Sequence, residues 1–328
     1  MSPPQHIPLS TLATQIPGEV DVFICSASFE SRCRSVADSV NPALIQRALV
    51  CVNENFPTAR DSEGEYLRSR FGDRSLMVPL HTERPLKTAD SLQQAVGGSV
   101  RELPQTYLVD ITTFTHEALL ILLKLLQLKV KPVDSVTFVY TAALEYSVGD
   151  KQDNKWLSKG IGEIRSVLGY PGKMVPTQKL HLVILAGFES ERAERFIEEY
   201  EPNVVSLGLG DPDSSTNPAH SPVNRAMHRR VAAQHKDGVT FMFSCSDPME
   251  TRTAIQDRIR QVPDHNVLIA PMNTKLSTVG AALVAFEDDS VQLCYATAHQ
   301  YNESNYSKPD TNCYLFTVPA IPNPAKST

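Results

Sequence analysis

Two short polar segments with an arginine are the parts of this sequence best suited to chemistry. They read SFESR (28–32) and GFESER (187–192), and each directly follows a strongly apolar segment. Small residues allow a close turn, free amides at the start of a helix bind anions, and an arginine can hold a phosphate or carboxylate through two nitrogen donors. The two segments therefore predict anion-binding loops with the ligand contacts Ser28, Glu30, Arg32, Gly187, Glu189 and Arg192. The alternative is structural: Ser28 caps a helix, and each Glu–Arg pair is a local salt bridge.

Hydroxyl-bearing side chains follow a second pair of apolar segments. One copy reads DITTFTHE (110–117) and the other reads APMNTK (270–275). Hydroxyl groups and a cation at the start of a helix can hold a phosphate. We therefore predict further ligand contacts from Thr112, Thr113, Thr115, Asn273, Thr274 and Lys275. Asp110, at a strand end, could serve as a base or contact a ribose, and helix capping is again the alternative.

Paired tyrosines lie in a third pair of segments, TFVYTAALEY (137–146) and QLCYATAHQY (292–301). A tyrosine ring can stack on a base or a sugar while its hydroxyl group forms a hydrogen bond, so Tyr140 and Tyr301 are candidate ligand contacts. Amphipathic packing at an interface between lobes would explain the same residues.

The segments that position these residues occur twice in the same order. Phe29 and Phe188 end matching segments 159 residues apart, and Tyr140 and Tyr295 lie 155 residues apart in matching segments. Two matches in one order at nearly one spacing indicate an internal duplication. Two similar lobes usually share a cleft or a pseudo-twofold axis, and we expect the ligand there.

Each half of the sequence alternates apolar segments with amphipathic ones in the order β-α-β-α-β-α-β-α-β. Near-continuous apolar strands separated by helices are typical of a mostly parallel sheet covered on both faces. The sequence therefore predicts an α/β fold, an internal duplication of two Rossmann-like units with mostly parallel sheets. We place an N-terminal lobe at 1–150, a connector at 151–179 with a short helix around 161–168, and a C-terminal lobe at 180–328. A last strand at 312–318 is expected at a sheet edge.

Composition narrows the classes of partner. The chain has 328 residues, 41% hydrophobic and 21% charged, with a formal charge of −6. It has no long run of Lys or Arg, so duplex nucleic acid is not an expected partner. Its longest apolar run, 118–123, is too short to span a bilayer, and the N-terminus lacks the pattern of a secretory signal. We therefore expect a cytoplasmic protein without a membrane partner.

Sequence motifs of cofactor and metal chemistry are missing. The chain has no GxGxxG fingerprint, no Walker A sequence, no GxSxG elbow and no zinc-type grouping of His and Cys. Its six cysteines form no CxxC pair and lie mostly in apolar segments, as buried thiols do. The sequence thus predicts no cofactor and no metal ion. If a reaction occurs, Asp110 or Glu30 is the candidate base, and Arg32 or Lys275 would stabilise charge.

The segment LIAPMNTKLSTV (268–279), within a tandem Rossmann-like duplication, resembles the ligand-sensing fold of the CARF and SAVED families. This resemblance implies a pocket for cyclic or linear oligonucleotide messengers at Asn273, Thr274 and Lys275, with 110–115 as a weaker copy. Asn273 stands where the family pattern has glycine. The chain is also similar to bacterial proteins of antiviral defence loci in GFESER, LSKGIGEIRSVLGYPG and NTKLSTVGA, which implies a role in defence.

Three functions follow as hypotheses from the sequence. The leading one is a sensor that binds a nucleotide-like or other phosphorylated small molecule and relays its state to a partner protein, in bacterial antiviral defence. The second is a hydrolase that cleaves a phosphodiester or N-glycosidic bond of a nucleotide. The third is a non-catalytic assembly subunit of a defence complex. The sequence leaves open whether the chain is an enzyme and whether it forms a homo-oligomer.

Overall fold

The computed structural model of the chain describes residues 3–16, 18–147 and 156–318. The strands of these ranges are β1 (Gln5–Pro8), β2 (Val22–Ala27), β3 (Ala48–Asn53), β4 (Ser75–Leu80), β5 (Thr106–Asp110), β6 (Ser135–Tyr146), β7 (Ser158–Pro171), β8 (Lys179–Leu185), β9 (Val204–Gly210), β10 (Val239–Phe243), β11 (His265–Pro271), β12 (Gln292–Tyr301) and β13 (Ser307–Val318). The α-helices are α1 (Leu12–Gln15), α2 (Ser35–Ser39), α3 (Pro57–Ala59), α4 (Glu65–Phe71), α5 (Pro85–Gly97), α6 (His116–Lys129), α7 (Ser190–Tyr200), α8 (Ser221–Gln234), α9 (Pro248–Arg260) and α10 (Lys275–Glu287).

The chain forms two compact units, and unit 1 contains a seven-stranded sheet. Unit 1 runs to Tyr146 and resumes at Ser307. Its strand order is β1-β13-β6-β5-β2-β3-β4. Strands β2 to β6 run parallel to one another, whereas β13 is antiparallel to β6 and to β1. The sheet is therefore mostly parallel.

Unit 2 contains a six-stranded sheet and runs from Ser147 to Tyr306. Its strand order is β10-β9-β8-β11-β12-β7. Strands β8 to β12 are parallel, and β7 is antiparallel to β12. This sheet is also mostly parallel, with one antiparallel strand at its edge.

Both sheets have the same topology. When the five parallel strands of each unit are numbered along the chain, both sheets have the order 3-2-1-4-5, as Rossmann folds do. The register also matches, since Ile24 pairs with Val109 in unit 1 and Val183 pairs with Ile269 in unit 2. The predicted fold class, an α/β internal duplication of two Rossmann-like units with mostly parallel sheets, is confirmed.

The antiparallel strand of each unit comes from the other half of the duplication. β7 follows β6 along the chain but pairs with β12, and β13 follows β12 but pairs with β6. The chain therefore crosses between the units after Tyr146 and again after Tyr306. The sheet of unit 2 is thus completed by the strand that follows β6, and the sheet of unit 1 by the strand that follows β12.

This exchange corrects the predicted connector. Residues 158–171 were expected in a connector at 151–179 with a helix around 161–168, but they form β7 of the unit 2 sheet. Residues 151–155 of that connector lie outside the described residues. The physical reason is that β7 is held by hydrogen bonds to β12, far ahead in the sequence, and local periodicity carries no information about such a partner.

The exchange also corrects the predicted lobes at 1–150 and 180–328. Residues 307–318 belong to the sheet of unit 1 and not to the C-terminal lobe. The strand expected at a sheet edge, 312–318, lies inside the sheet, because the unpredicted strand Gln5–Pro8 pairs with its outer side. The position of a strand in a sheet depends on the strands beside it, and the sequence of the strand itself does not identify them.

The core of each unit consists of strands covered by helices. Every residue of β2 and of β3 is buried, and most residues of α6 and α10 are buried against the sheets. All six cysteines are free and buried, which confirms the prediction of buried thiols. None of the helices in the described ranges is long and apolar enough to cross a membrane. The same residues contain no group of three or more His, Cys, Asp or Glu that could hold a metal ion.

Candidate functional site

The first parallel strand of each unit ends where the strand order of the sheet reverses. β2 lies between β3 and β5, and β8 lies between β9 and β11. Doubly wound sheets bind ligands at this point, beyond the carboxyl ends of the strands. After β2 the chain forms a 3₁₀ turn at Ser31–Arg34, and after β8 it enters α7. The two polar segments identified in the sequence therefore lie where this fold places ligands.

Arg32 and Glu30 form a buried ion pair in unit 1. Arg32 Nη2 and Glu30 Oε2 are 2.6 Å apart, and the two side chains are 3% and 9% exposed. Arg32 Nε donates to Glu30 and to Ser307 Oγ, both at 3.1 Å, and Nη1 donates to the Thr141 carbonyl oxygen at 3.0 Å. Ser307, the first residue of β13, also donates to Glu30. Every nitrogen of the guanidinium group thus has a hydrogen-bond partner.

Two tyrosines complete the cluster in unit 1. The Arg32 guanidinium lies 5.4 Å from the centroid of the Tyr146 ring, and Tyr140 is hydrogen-bonded to both side chains. Burial lowers the pKa of Arg32, but Glu30 and the two tyrosines raise it by more, so the group remains charged. Ser28 accepts a hydrogen bond from the Glu30 amide at 3.3 Å. The predicted ligand contacts Ser28, Glu30, Arg32 and Tyr140 therefore form hydrogen bonds and an ion pair with one another.

Unit 2 repeats the cluster with Glu189 and Arg192. Arg192 Nη1 lies 3.3 Å from Glu189 Oε2, and the side chains are 10% and 24% exposed. Arg192 Nη2 donates to Ser158 Oγ at 2.9 Å. Ser158, the first residue of β7, donates in turn to Glu189. The Nε of Arg192 is buried and has no hydrogen-bond partner among the described residues.

Three tyrosines, Tyr295, Tyr301 and Tyr306, raise the pKa of Arg192. Burial lowers the pKa of Arg192, but Glu189 and these tyrosines raise it by more, so the side chain is a cation. The hydroxyl oxygens of Tyr295 and Tyr301 are 3.4 Å apart. Tyrosines from the fifth parallel strand therefore accompany the arginine in unit 2 as they do in unit 1.

The two clusters share their composition and differ in their openness. Each combines a Glu and an Arg after the first parallel strand, a serine that begins the exchanged strand, and a tyrosine that ends the fifth strand. We call Glu30, Arg32, Ser307 and Tyr146 the closed cluster, because each Arg32 nitrogen has a protein partner. We call Glu189, Arg192, Ser158 and Tyr301 the open cluster, because one Arg192 nitrogen lacks a partner in the described ranges.

A pocket of about 260 Å³ lies at the open cluster. Its wall is formed by the start of β7, the loop before α7, the first turn of α7 and one side of α8. The lining includes Trp156, Ser158, Lys159, Phe188, Arg192 and Arg230. Lys159 Nζ lies 4.4 Å from the centroid of the Trp156 ring, within the range of a cation–π interaction. This unit 2 pocket thus combines aromatic rings with cations.

The start of α7 contributes backbone groups to the unit 2 pocket. Ser190, its first residue, lines the pocket, and the N-cap residue Glu189 makes no side-chain hydrogen bond to the first turn. By contrast, Thr115 caps α6 and Thr274 caps α10 through their hydroxyl oxygens. The first amides of an uncapped helix have no partner within the helix, and they form a favourable site for an anion.

The hydroxyl groups predicted as a phosphate site in unit 1 bind the backbone of the protein instead. Thr112 Oγ1 accepts from the Thr141 amide at 3.0 Å, and Thr113 donates to the Ser26 carbonyl oxygen at 2.6 Å. Thr115 accepts from an amide in the first turn of α6. Thr115 is thus a helix cap, whereas Thr112 and Thr113 bind the backbone of β6 and of β2.

The corresponding residues of unit 2 are also engaged with the backbone. Asn273 donates to the Ala186 carbonyl oxygen at 2.6 Å, and Thr274 donates to the Cys245 carbonyl oxygen at 2.7 Å. Lys275 is the half-buried first residue of α10. None of the three predicted contacts Asn273, Thr274 and Lys275 lines the unit 2 pocket.

Asp110, the candidate base, is a buried carboxyl group at the end of β5. It is 2% exposed and accepts hydrogen bonds from the amide and hydroxyl groups of Thr112. Burial raises the pKa of Asp110 to about 7, while Thr112 and the nearby Arg32 lower it. By strand register it corresponds to Ala270 of unit 2. Neither Asp110 nor the other candidate base, Glu30, lines the unit 2 pocket.

Gly187, a predicted ligand contact, permits a close approach of two backbone segments. A Cβ atom at this position would lie 2.1 Å from the Met272 carbonyl oxygen, which belongs to the backbone and cannot rotate away. We expect Gly187→Ala to lower the free energy of unfolding by about 1–3 kcal/mol, as overpacking of an interior does. Urea denaturation measures this loss. Gly97→Ala, which would meet nothing within 4 Å, is the matched control and should not destabilise; equal stability of both variants would refute the close approach.

Several pocket residues were not identified from the sequence, namely Trp156, Ser158, Lys159, Phe188 and Arg230. The first three lie in or before β7, which was assigned to a connector, and Phe188 was used only to define the internal repeat. The one available signal was the single tryptophan of the chain, placed beside a serine and a lysine at the edge of a glycine-containing segment.

Comparisons with known proteins leave the family of this chain open. No protein-family model matches it, and no curated protein matches it. A solved structure, the cytoplasmic domain of a prokaryotic cation chloride cotransporter, aligns with 87% of this chain and 99% of its own chain, at 9% sequence identity and a TM-score of 0.25. Similarity of this size carries no argument about function, so the functional conclusion depends on the site itself.

Proposed function

We propose that this chain is a ligand-binding sensor whose unit 2 pocket holds a nucleotide or another phosphorylated small molecule. The observation that carries the proposal is Arg192, a buried cation that lines the pocket and whose Nε has no partner in the described part of the chain. Leaving a buried donor unpaired costs about 1–3 kcal/mol. Since the Arg192 side chain lines the pocket, an acceptor oxygen of a ligand that reaches this nitrogen would supply the missing partner.

The charge around the pocket supports an anionic ligand. Lys159 and Arg230 line the pocket together with Arg192, and the uncapped start of α7 adds a partial positive charge. A guanidinium group suits phosphate in particular, because two of its N–H groups can bind two oxygens of one phosphate. The aromatic rings of Trp156 and Phe188 supply apolar surface for the rest of the ligand.

The proposal assigns one binding site to each chain. In the closed cluster of unit 1, Glu30, Ser307 and Thr141 take up the donors of Arg32. A ligand would have to displace Glu30 from a buried ion pair, which would leave a charge without its counter-ion. We therefore propose that the closed cluster is structural and that only the open cluster binds ligand.

The output of the sensor remains a prediction from the sequence. A relay to a partner protein and a role in bacterial antiviral defence follow from the resemblance described above. The ligand contacts that this resemblance implies, Asn273, Thr274 and Lys275, do not line the unit 2 pocket. The proposed site is thus a different part of unit 2.

The alternative of a nucleotide hydrolase receives no comparable support. Its candidate bases, Asp110 and Glu30, belong to unit 1, are buried, and accept hydrogen bonds from their own neighbours. The assembly-subunit alternative stays a hypothesis, to be tested by the proteins that co-purify with the chain.

Replacing Arg192 tests the proposal directly. Binding of inorganic phosphate, ribose 5-phosphate and the nucleoside monophosphates AMP, GMP, CMP and UMP is measured by isothermal titration calorimetry. For those that bind, we expect Arg192→Gln to weaken affinity roughly 10- to 100-fold, since it removes a charge-assisted contact. Arg195→Gln is the matched control on the same helix, because Arg195 is exposed and pairs with Glu198 and Glu199.

A second variant separates a loss of ligand contact from a loss of folding. Lys159→Ala removes an exposed lining cation and should weaken the same binding, while Lys173→Ala, a lysine paired with Asp289 just after β7, should not. The proposal fails if none of the six compounds binds the wild-type chain. It also fails if Arg192→Gln and Lys159→Ala bind as tightly as their controls.

A further inference from the structure

We infer that the ligand of the unit 2 pocket is a single nucleoside monophosphate, with its base against the indole of Trp156 and its phosphate at Arg192 and the start of α7. This inference rests on the proposed function and specifies its ligand class. It depends on the aromatic lining, the size and the charge of the pocket, and on how Trp156 is held.

The aromatic lining favours a ligand that contains a base. Trp156 and Phe188 are both half-buried and both line the pocket, together with the apolar side chains of Val223 and Met227. A simple phosphate or sugar phosphate has no flat apolar face that could use these rings. Base–aromatic stacking is worth about 1–3 kcal/mol per base and suits any base, because every base has a π-face.

The size of the pocket favours one nucleotide over a longer ligand. Its volume is about 260 Å³. Pockets for drug-sized ligands are usually larger, at roughly 300–1,000 Å³. A cyclic oligonucleotide or a dinucleotide carries at least two bases and two phosphates and would extend outside this pocket. A ligand with one base, one sugar and one phosphate is the largest nucleotide that this volume favours.

The charge of the lining fits a monophosphate better than a triphosphate. Three cations, Lys159, Arg192 and Arg230, line the pocket with two carboxylates, Glu189 and Glu191. Glu189 already pairs with Arg192. The lining side chains therefore carry one surplus positive charge beside the partial charge at the start of α7, and Arg230 also pairs with Glu194 outside the lining. This small surplus suits a phosphate monoester, which carries about −1.5 to −2 charges at pH 7, better than the larger charge of a triphosphate.

Hydrogen bonds fix the backbone that carries the tryptophan. Asn302, a buried residue after β12, donates from its side chain to the Trp156 carbonyl oxygen at 2.9 Å. Its backbone amide donates to the Leu157 carbonyl oxygen, also at 2.9 Å. Lys159 then lies over the indole ring. Because Lys159 covers one face of the indole ring, a base would stack on the other face or displace Lys159, and the fixed backbone limits the reordering that this needs.

Trp156 provides its own reporter for the test. It is the only tryptophan of the chain, so all tryptophan fluorescence comes from the pocket. The chain is titrated with AMP, GMP, CMP and UMP, and separately with ribose 5-phosphate and inorganic phosphate. We expect at least one nucleoside monophosphate to quench the fluorescence and to bind more tightly than ribose 5-phosphate, by roughly 5- to 150-fold.

Two substitutions at Trp156 separate stacking from folding. Calorimetry of Trp156→Leu should show the nucleoside monophosphate bound only as tightly as ribose 5-phosphate. Trp156→Phe keeps an aromatic ring and should retain most of the preference for the nucleotide. Ribose 5-phosphate should bind both variants and the wild type alike, because it does not use the ring.

The outcomes distinguish this inference from the proposed function. Equal affinity for ribose 5-phosphate and every nucleoside monophosphate, with no effect of Trp156→Leu, would overturn the inference and leave a phosphate-binding pocket. The dinucleotide ApA is titrated in the same way, and tighter binding of ApA than of every nucleoside monophosphate would also overturn the inference. If no compound bound at all, the proposed function and the inference would both be wrong.

Discussion

Replacing Arg32 with methionine is expected to lower the free energy of unfolding by about 3–5 kcal/mol. The reason is that Glu30, which is 9% exposed, would remain buried without its cation. The substitution would also leave Ser307 and the Thr141 carbonyl oxygen without one of their partners. Urea denaturation, followed by circular dichroism, measures the effect.

Two further variants show whether the loss comes from the unpaired charge. The double variant Glu30→Leu/Arg32→Met removes both charges and should recover most of the lost stability, because a buried ion pair is often replaceable by apolar residues. Arg192→Met should cost less than Arg32→Met, since Glu189 is 24% exposed and water can solvate it. A loss below about 1 kcal/mol for Arg32→Met, typical of a surface pair, would contradict the closed cluster.

The second large effect is a dependence of stability on pH that comes from Asp110. Burial raises the pKa of this carboxyl group from its ordinary value of 3.8 to about 7. In the pH range between these values, the folded chain holds a proton that the unfolded chain has lost. Stability therefore falls as the pH rises from about 4 to about 7 and is level above that range, by about 4 kcal/mol in total.

Asp110→Asn should remove this slope, because an amide does not titrate. We expect the difference in unfolding free energy between variant and wild type to shift in favour of the variant by about 4 kcal/mol between pH 4 and pH 8. Asp73→Asn, at an exposed carboxyl group, is the control and should follow the wild-type profile. Parallel profiles for Asp110→Asn and the wild type would show that the Asp110 pKa is not raised.

The parallel strands could be predicted from the sequence because each carries its own signal. The segment Ala48–Asn53 is apolar up to its last residue and is entirely buried as β3. The helix His116–Lys129 follows the capping threonine Thr115 and contains the apolar run 118–123 noted in the sequence. Such local patterns reflect burial, which acts on each segment separately.

The exchanged strands could not be predicted in the same way. Much of Ser158–Pro171 is exposed or half-buried, so its pattern lacks the apolar alternation of a strand with one buried face. The segment becomes a strand only because β12 offers hydrogen bonds to it. Pairing between strands far apart in the sequence depends on the rest of the fold, and a local sequence pattern does not predict it.

The residues of the candidate site were likewise only partly predictable from local sequence. The sequence identified both Glu–Arg segments as anion-binding loops but could not separate their roles, because Arg32 and Arg192 stand in nearly identical contexts. The difference arises in three dimensions, where Arg32 reaches the Thr141 carbonyl oxygen and Arg192 borders a pocket. Packing decides which guanidinium nitrogens have an acceptor, and the residues of the two segments do not indicate the outcome.

The most direct test of the account is a crystal structure of the chain grown with AMP, GMP, CMP or UMP, each in a separate crystal. The account predicts one bound nucleotide per chain, with its phosphate within hydrogen-bond distance of Arg192 and its base against Trp156. It predicts no ligand at Arg32. A pocket that stays empty with all four nucleotides at saturating concentration, or a nucleotide bound at Arg32 and Glu30, would contradict it.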